Sequence, residues 1–106
     1  MVNKNYIIQK QKTSNYFTKS GIEVFIKDKL NDNTSIALAI DLMFKKVPNV
    51  LLQNVRKIYV GQYKELKDRS IQAMYKDSCI FVTNEQSSTE DILDDLIHEV
   101  AHSVEE

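Results

Sequence analysis

The sequence has few of the residues that cross-link or interrupt a chain. Its 106 residues include one cysteine, one proline, two glycines and no tryptophan. Because Cys79 stands alone, an internal disulfide and a cysteine-based zinc cage are excluded, which favours a reducing, cytoplasmic setting. With so little proline and glycine the chain has no flexible linker, so we expect one continuous domain over residues 1–106.

Long hydrophobic runs are also missing. No apolar stretch approaches the roughly 20 residues that cross a bilayer, and the first ten residues lack the apolar region of a secretory signal. We therefore expect no membrane partner. The composition, 42% apolar and 27% charged, is that of an ordinary globular domain with one modest core.

Basic residues are absent from the last part of the chain. Residues 77–106 hold nine acidic residues and no lysine or arginine, whereas residues 1–76 hold all 14 basic residues and six acidic ones. A solvated surface explains such a division, and an acidic region that serves a cation is the sharper interpretation. The lysine-rich part leaves a nucleic-acid-binding module as an alternative, although its lysines form no stripe.

Periodicity and turn residues predict the elements of the domain. In chain order these are a strand at Ile22–Ile26, a helix over 34–46, a strand at Val55–Val60, a hairpin of strands Ile71–Tyr75 and Cys79–Thr83, and a helix over 89–106. The rest is predicted as a strand-and-loop extension over 1–21, with a β-prone Tyr6–Gln9 and a loop from Gln11 to Gly21, and as a polar connection over 62–69. This order indicates an α+β (α/β-like) fold, a mixed sheet of mostly short strands with a backing helix.

The final helix carries the most informative motif, His98-Glu99-Val100-Ala101-His102. Residues four apart on a helix lie on one face, about one turn apart, so both imidazoles can reach one Zn²⁺. Glu99 flanks such a metal without binding it and can act as the general base for metal-bound water. The alternative is two ordinary surface histidines.

A helical projection separates two arcs of this helix. His98 and His102 share a polar arc with Asp91, Asp94, Asp95 and Glu105, and are therefore not core histidines. The opposite arc is predicted to be buried, and its apolar residues are Ile92, Leu93, Leu96, Ile97, Val100, Ala101 and Val104.

The chain resembles the zincin superfamily of zinc metallopeptidases in this motif and in the run 73–83 that precedes it, which looks like the hairpin ahead of the zincin active-site helix. The resemblance covers roughly residues 22–106. It implies a peptidase in which His98 and His102 bind zinc and Glu99 is the general base and acid. It also implies that the hairpin's first strand, with Ile71, Ala73 and Tyr75, is a sheet edge where an extended peptide or protein substrate adds as a further strand.

The sequence departs from the family after the second histidine. A catalytic zinc needs a third protein ligand, and the metzincin extension would place glycine where this chain has Glu105. The resemblance is therefore of the gluzincin type, with the chain cut just after the motif. The third ligand is then expected from a missing C-terminal part or a partner chain, because Glu105 and Glu106 follow His102 too closely. A catalytically inert zincin-like domain, with a structural or partner-binding role, is the alternative.

Other candidates carry weaker patterns. Asp94 and Asp95 lie about a turn before His98 and could orient an imidazole, or simply form a solvated face. Tyr59, Tyr63 and Tyr75 could stabilise an oxyanion, although packing is their commoner role. Cys79 alternates with Phe81 along its strand and is predicted to be a small core residue.

Overall fold

A computed structural model of the chain describes residues 16–105. Its five strands and three α-helices, together with one short 3₁₀-helix, give an α+β fold with a mixed sheet, as the sequence predicts. The elements are β1 (Tyr16–Lys19), β2 (Ile22–Ile26), α1 (Ile36–Lys46), the 3₁₀-helix (Asn49–Leu52), β3 (Lys57–Val60), α2 (Lys64–Asp68), β4 (Ala73–Lys76), β5 (Cys79–Val82) and α3 (Thr89–Val104).

The five strands lie in the order β1-β2-β3-β5-β4. The three central strands are parallel to one another, and β1 and β4 run antiparallel to their neighbours at the two edges. The helix α1 makes the crossover between the parallel strands β2 and β3, a connection that parallel pairing requires. The sheet edge formed by β4 lies beside α3, which packs against β4, β5 and α1.

Alternation along the strands divides the sheet into two faces. The inner face supplies Ile22, Val24, Ile58, Val60, Ile80 and Val82 to the core. Buried residues of α1 and α3 complete this core, among them Ile40, Met43 and Leu96, none of which is exposed to solvent. The two long helices therefore lie on one face of the sheet and close the core together.

The outer face carries a row of aromatic rings across four strands. Neighbouring ring centroids are 4.9 Å apart for Tyr16 and Phe25, 5.0 Å for Phe25 and Tyr59, and 5.0 Å for Tyr59 and Phe81. Tyr63 packs edge-on against Phe81, with centroids 5.3 Å apart. Tyr59 and Tyr63 therefore lie on the face away from α3, and an oxyanion role for them next to its histidines is excluded.

Two predictions of irregular structure are wrong. The predicted loop from Gln11 to Gly21 contains β1, which forms because its backbone pairs in register with β2 despite two polar side chains. The predicted connection over 62–69 contains α2, a single turn whose one apolar residue, Leu66, is buried. A helix that short has little intrinsic stability and depends on tertiary packing.

Some predictions concern residues outside the described range, namely the β-prone Tyr6–Gln9 and Glu106. Within residues 16–105, no helix combines the length and the apolar character needed to cross a bilayer.

Candidate metal centre

The helix α3 begins where the sequence predicts. Ser88 adopts the extended conformation of an N-cap, and its Oγ accepts the Asp91 N–H at 3.1 Å. This bond satisfies one of the four amide groups that have no partner at a helix start. Thr89 ties the same end to α1, because its Oγ1 accepts the Ser35 N–H at 3.1 Å.

The buried arc of α3 is rotated from the predicted one. Glu99 and Ser103 are buried, whereas Ala101 and Val104 are exposed. The sequence projection follows side-chain polarity alone, and it could not show that the helix turns its Glu99 side towards the protein. The prediction that His98 and His102 lie outside the core is confirmed, since both are exposed.

The two imidazoles converge on one point. His98 Nε2 and His102 Nε2 are 3.2 Å apart, and the rings are nearly perpendicular, at 85°. Two nitrogens that each lie 2.0–2.1 Å from a tetrahedral Zn²⁺ are about 3.3–3.4 Å apart. The observed separation is compatible with one shared metal ion, and it is also the length of a hydrogen bond between the two rings.

Glu99 completes the cluster from the buried side. Only 6% of its surface is exposed, and its carboxylate lies with the two imidazoles in a group whose ligand atoms are all within 4.8 Å of one another. Burial raises the pKa of the Glu99 carboxyl, and the neighbouring His102 and His98 oppose that rise. A carboxyl group whose pKa is raised, beside two imidazoles, suits a group that accepts and returns a proton.

Glu105 lies close to His102, a contact that the sequence did not predict. Its Oε1 lies 3.5 Å from His102 Nδ1, the nitrogen on the other side of the ring from the one that faces His98. Both side chains are exposed, so this is a loose surface contact on the far side of the ring from His98.

The two aspartates before the motif differ from each other. Asp95 is half-buried and accepts a hydrogen bond from Nε2 of the buried Gln86 at 2.9 Å. Burial raises the pKa of the Asp95 carboxyl, the bond from Gln86 lowers it, and the nearby Asp91 and Asp94 raise it further. Asp94 is exposed. Of the pair, Asp95 alone is therefore held in place by a bond to another element.

The predicted substrate strand is at the sheet edge. β4 pairs with β5 on one side, and no other described strand pairs with its second side. Ala73 and Tyr75 pack against the core on the inner face, which is the face that α3 covers. Ile71 precedes β4, and its N–H donates to the Leu66 carbonyl at 3.0 Å, so this residue belongs to the connection and not to the strand.

Cys79 is not a core residue. It pairs across the sheet with Lys57 and Lys76 on the outer face and is half-buried, while Ile80 beside it enters the core. Alternation from Ile80 explains the placement, because successive side chains point to opposite faces. Burial raises the pKa of its thiol.

Among residues 16–105, His98, Glu99 and His102 are the one group of three or more His, Cys, Asp or Glu side chains arranged to hold a metal ion. Comparisons of the chain with protein-family models, with curated proteins and with solved structures gave no match. The site must therefore be interpreted from its own geometry.

Proposed function

We propose that this chain is the zincin-like part of a zinc-dependent peptidase, in which His98 and His102 hold Zn²⁺. The observation that carries the proposal is the 3.2 Å separation of the two Nε2 atoms, with the Glu99 carboxylate beside them. Bound zinc would supply a polarised water that is nucleophilic near neutral pH.

The chain's own residues then have separate roles. Glu99 accepts a proton from the attacking water and returns it to the leaving amine, which its buried position beside the imidazoles favours. The Glu105 carboxylate lies 3.5 Å from His102 Nδ1, from where it can help to orient that ring. The edge strand β4 offers backbone groups to an extended peptide, with Ala73 on the inner face near α3.

A catalytic zinc also needs a third protein ligand. The proposal therefore requires a donor from outside residues 16–105, either from a partner chain or from a longer protein. The reducing cytoplasm remains the proposed location, on the ground of the single cysteine.

Zinc binding tests the first half of this proposal. We expect equilibrium dialysis at pH 7 to show one weak Zn²⁺ site per chain, which His98→Ala and His102→Ala each remove. Glu99→Gln is the matched control, because Glu99 is not needed as a ligand and this variant should keep the metal. Because the third ligand lies outside residues 16–105, the decisive titration uses the longer protein or complex that supplies it, and the absence of bound Zn²⁺ there would overturn the proposal.

Peptide hydrolysis tests the second half, in a protein that includes the third ligand. Glu99→Gln should retain zinc and lose essentially all cleavage of unstructured peptides, since the general base is gone. Cleavage that survives this substitution would show that Glu99 is not the base.

A further inference from the structure

The last turn of α3 accepts a hydrogen bond from an exposed side chain elsewhere in the domain. Asn54 lies in the turn between the 3₁₀-helix and β3, and its Nδ2 donates to the Ser103 carbonyl oxygen at 3.0 Å. Ser103 directly follows the metal-site residue His102 in the sequence. The carbonyls of the last helical turn have no partner further along the helix, so Asn54 satisfies a group that would otherwise be open.

Two further contacts involve the residues of this hydrogen bond, one within α3 and one with β4. Ser103 is completely buried, and its Oγ donates to the Val100 carbonyl at 2.6 Å. On the other side, the Tyr75 hydroxyl lies 3.5 Å from the Asn54 carbonyl oxygen. One residue therefore links the edge strand β4, the start of β3 and the end of α3.

The consequence for the metal site follows from where the two histidines lie on the helix. His98 is in the body of α3, between the buried Leu96 and Val100. His102 is in the last turn, where helices fray most readily. A small movement of that turn changes the separation of the two Nε2 atoms, and this separation must match one ion.

We propose that Asn54 is a positioning residue for the zinc site, acting through the Ser103 carbonyl to fix the turn that carries His102. The inference rests on the proposed function, since it assigns a second residue to the same site. It touches neither the metal nor a substrate. Hydrogen-bond partners of metal-ligating side chains typically change metal affinity by about 10–100-fold when removed. Asn54 acts one step further out, through the backbone beside His102, so its effect is expected at the low end of that range.

The test compares Asn54→Ala with Gln53→Ala, an exposed neighbour in the same turn. We expect Asn54→Ala to weaken Zn²⁺ binding about tenfold in calorimetric titrations well below the melting temperature, and Gln53→Ala to leave it unchanged. Asn54→Asp, which keeps the shape but presents a carboxylate to the carbonyl, should lose as much affinity as Asn54→Ala. An Asn54→Ala variant that binds Zn²⁺ as tightly as wild type would overturn the inference while leaving the proposed function intact.

A second measurement needs no metal. Amide hydrogen exchange in the presence of EDTA should become faster at residues 103–105 in Asn54→Ala and stay unchanged in the body of α3, at residues 96–100. Exchange that is unchanged at the last turn, or that is faster along the whole helix, would show that Asn54 does not fix this turn, whatever the metal result.

Discussion

At the scale of single residues, the candidate site lies where the exposed face of α3 meets its buried face. Glu99 is one position after His98 and three before His102, so it projects about 100° from the first imidazole, towards the protein. It is buried while both histidines are exposed. One short motif thus places a solvent-facing pair of imidazoles and a desolvated carboxyl group side by side.

Asp95 allows a test of how burial affects charge near this site. Its folded-state pKa is raised above the ordinary value of 3.8, mainly by burial, so its charged form costs stability above that pH. We expect Asp95→Asn to raise the free energy of unfolding at pH 7 in EDTA by less than about 1 kcal/mol, because the group is still partly solvated. The amide oxygen can still accept the bond from Gln86.

The pH dependence of the stability difference between Asp95→Asn and wild type tests whether the charged carboxyl is its cause. Below the unfolded-state pKa the carboxyl is protonated in both states, so the advantage of Asp95→Asn should disappear in urea titrations near pH 3. The control is Asp94→Asn, which removes the same charge from an exposed position and should change stability less. An Asp95→Asn variant that is less stable than wild type at pH 7 contradicts the expectation.

The sequence could predict the parts of the site that depend on residues close together in the chain, and it could not predict those that depend on distant residues. The spacing of His98 and His102 is local to one helix, so their shared face could be derived from periodicity. By contrast, Asp95 is hydrogen-bonded by Gln86, and the Ser103 carbonyl is hydrogen-bonded by Asn54. Both donors lie outside α3 and reach it only in the folded domain. No local pattern marks Asn54 as a partner of the last turn of α3.

At the scale of elements, the hairpin of β4 and β5 shows what local turn chemistry decides. Asp77 and Ser78 form its two-residue turn, and both have positive φ, 53° and 67°. Two consecutive left-handed residues define the type I′ turn, whose twist matches that of the flanking strands. The turn thereby sets the register of β4 against β5, which places Ala73 and Tyr75 on the inner face of the sheet.

This turn gives the second stability test. Ser78 is held in a conformation that costs an L-residue about 1–2 kcal/mol, and glycine adopts it freely. We expect Ser78→Gly to raise the free energy of unfolding by about 0.5–1 kcal/mol in urea titrations, after the entropy cost of glycine. Ser87→Gly, at a position without positive φ, should lower it slightly. A loss of stability in Ser78→Gly would mean that the turn differs from type I′.

Elements with strong local sequence patterns were predicted correctly. The remaining elements depend on contacts that form only in the folded domain. β2 has a β-branched and aromatic pattern and was predicted with its observed bounds, Ile22–Ile26. α3 has both an N-cap and a long apolar period, and it was predicted to within two residues at its end. β1 and α2 are short and carry no clear apolar period. β1 is defined by its pairing with β2, and α2 by the burial of Leu66, and neither interaction can be read from the local sequence.

At the scale of the whole molecule, the helix that carries the candidate metal site also closes the core. α3 buries Ile92 and Leu96 completely and packs on α1, β4 and β5. An isolated 16-residue helix is only marginally stable in water. The 3.2 Å approach of the two imidazoles therefore depends on the folded domain, and metal binding and folding should be coupled.

This coupling predicts how zinc affects stability. A ligand that binds only the native state stabilises it by an amount set by its concentration relative to Kd, about 2.7 kcal/mol at 100 times Kd. We expect the free energy of unfolding in urea to rise with Zn²⁺ concentration along this relation, and EDTA to reverse the gain. His98→Ala should have the same stability with and without zinc, whereas Glu99→Gln should keep the response, because it retains both imidazoles. Equal stability of the wild-type chain in saturating Zn²⁺ and in EDTA would contradict the coupling, and zinc would then not require the folded arrangement of α3.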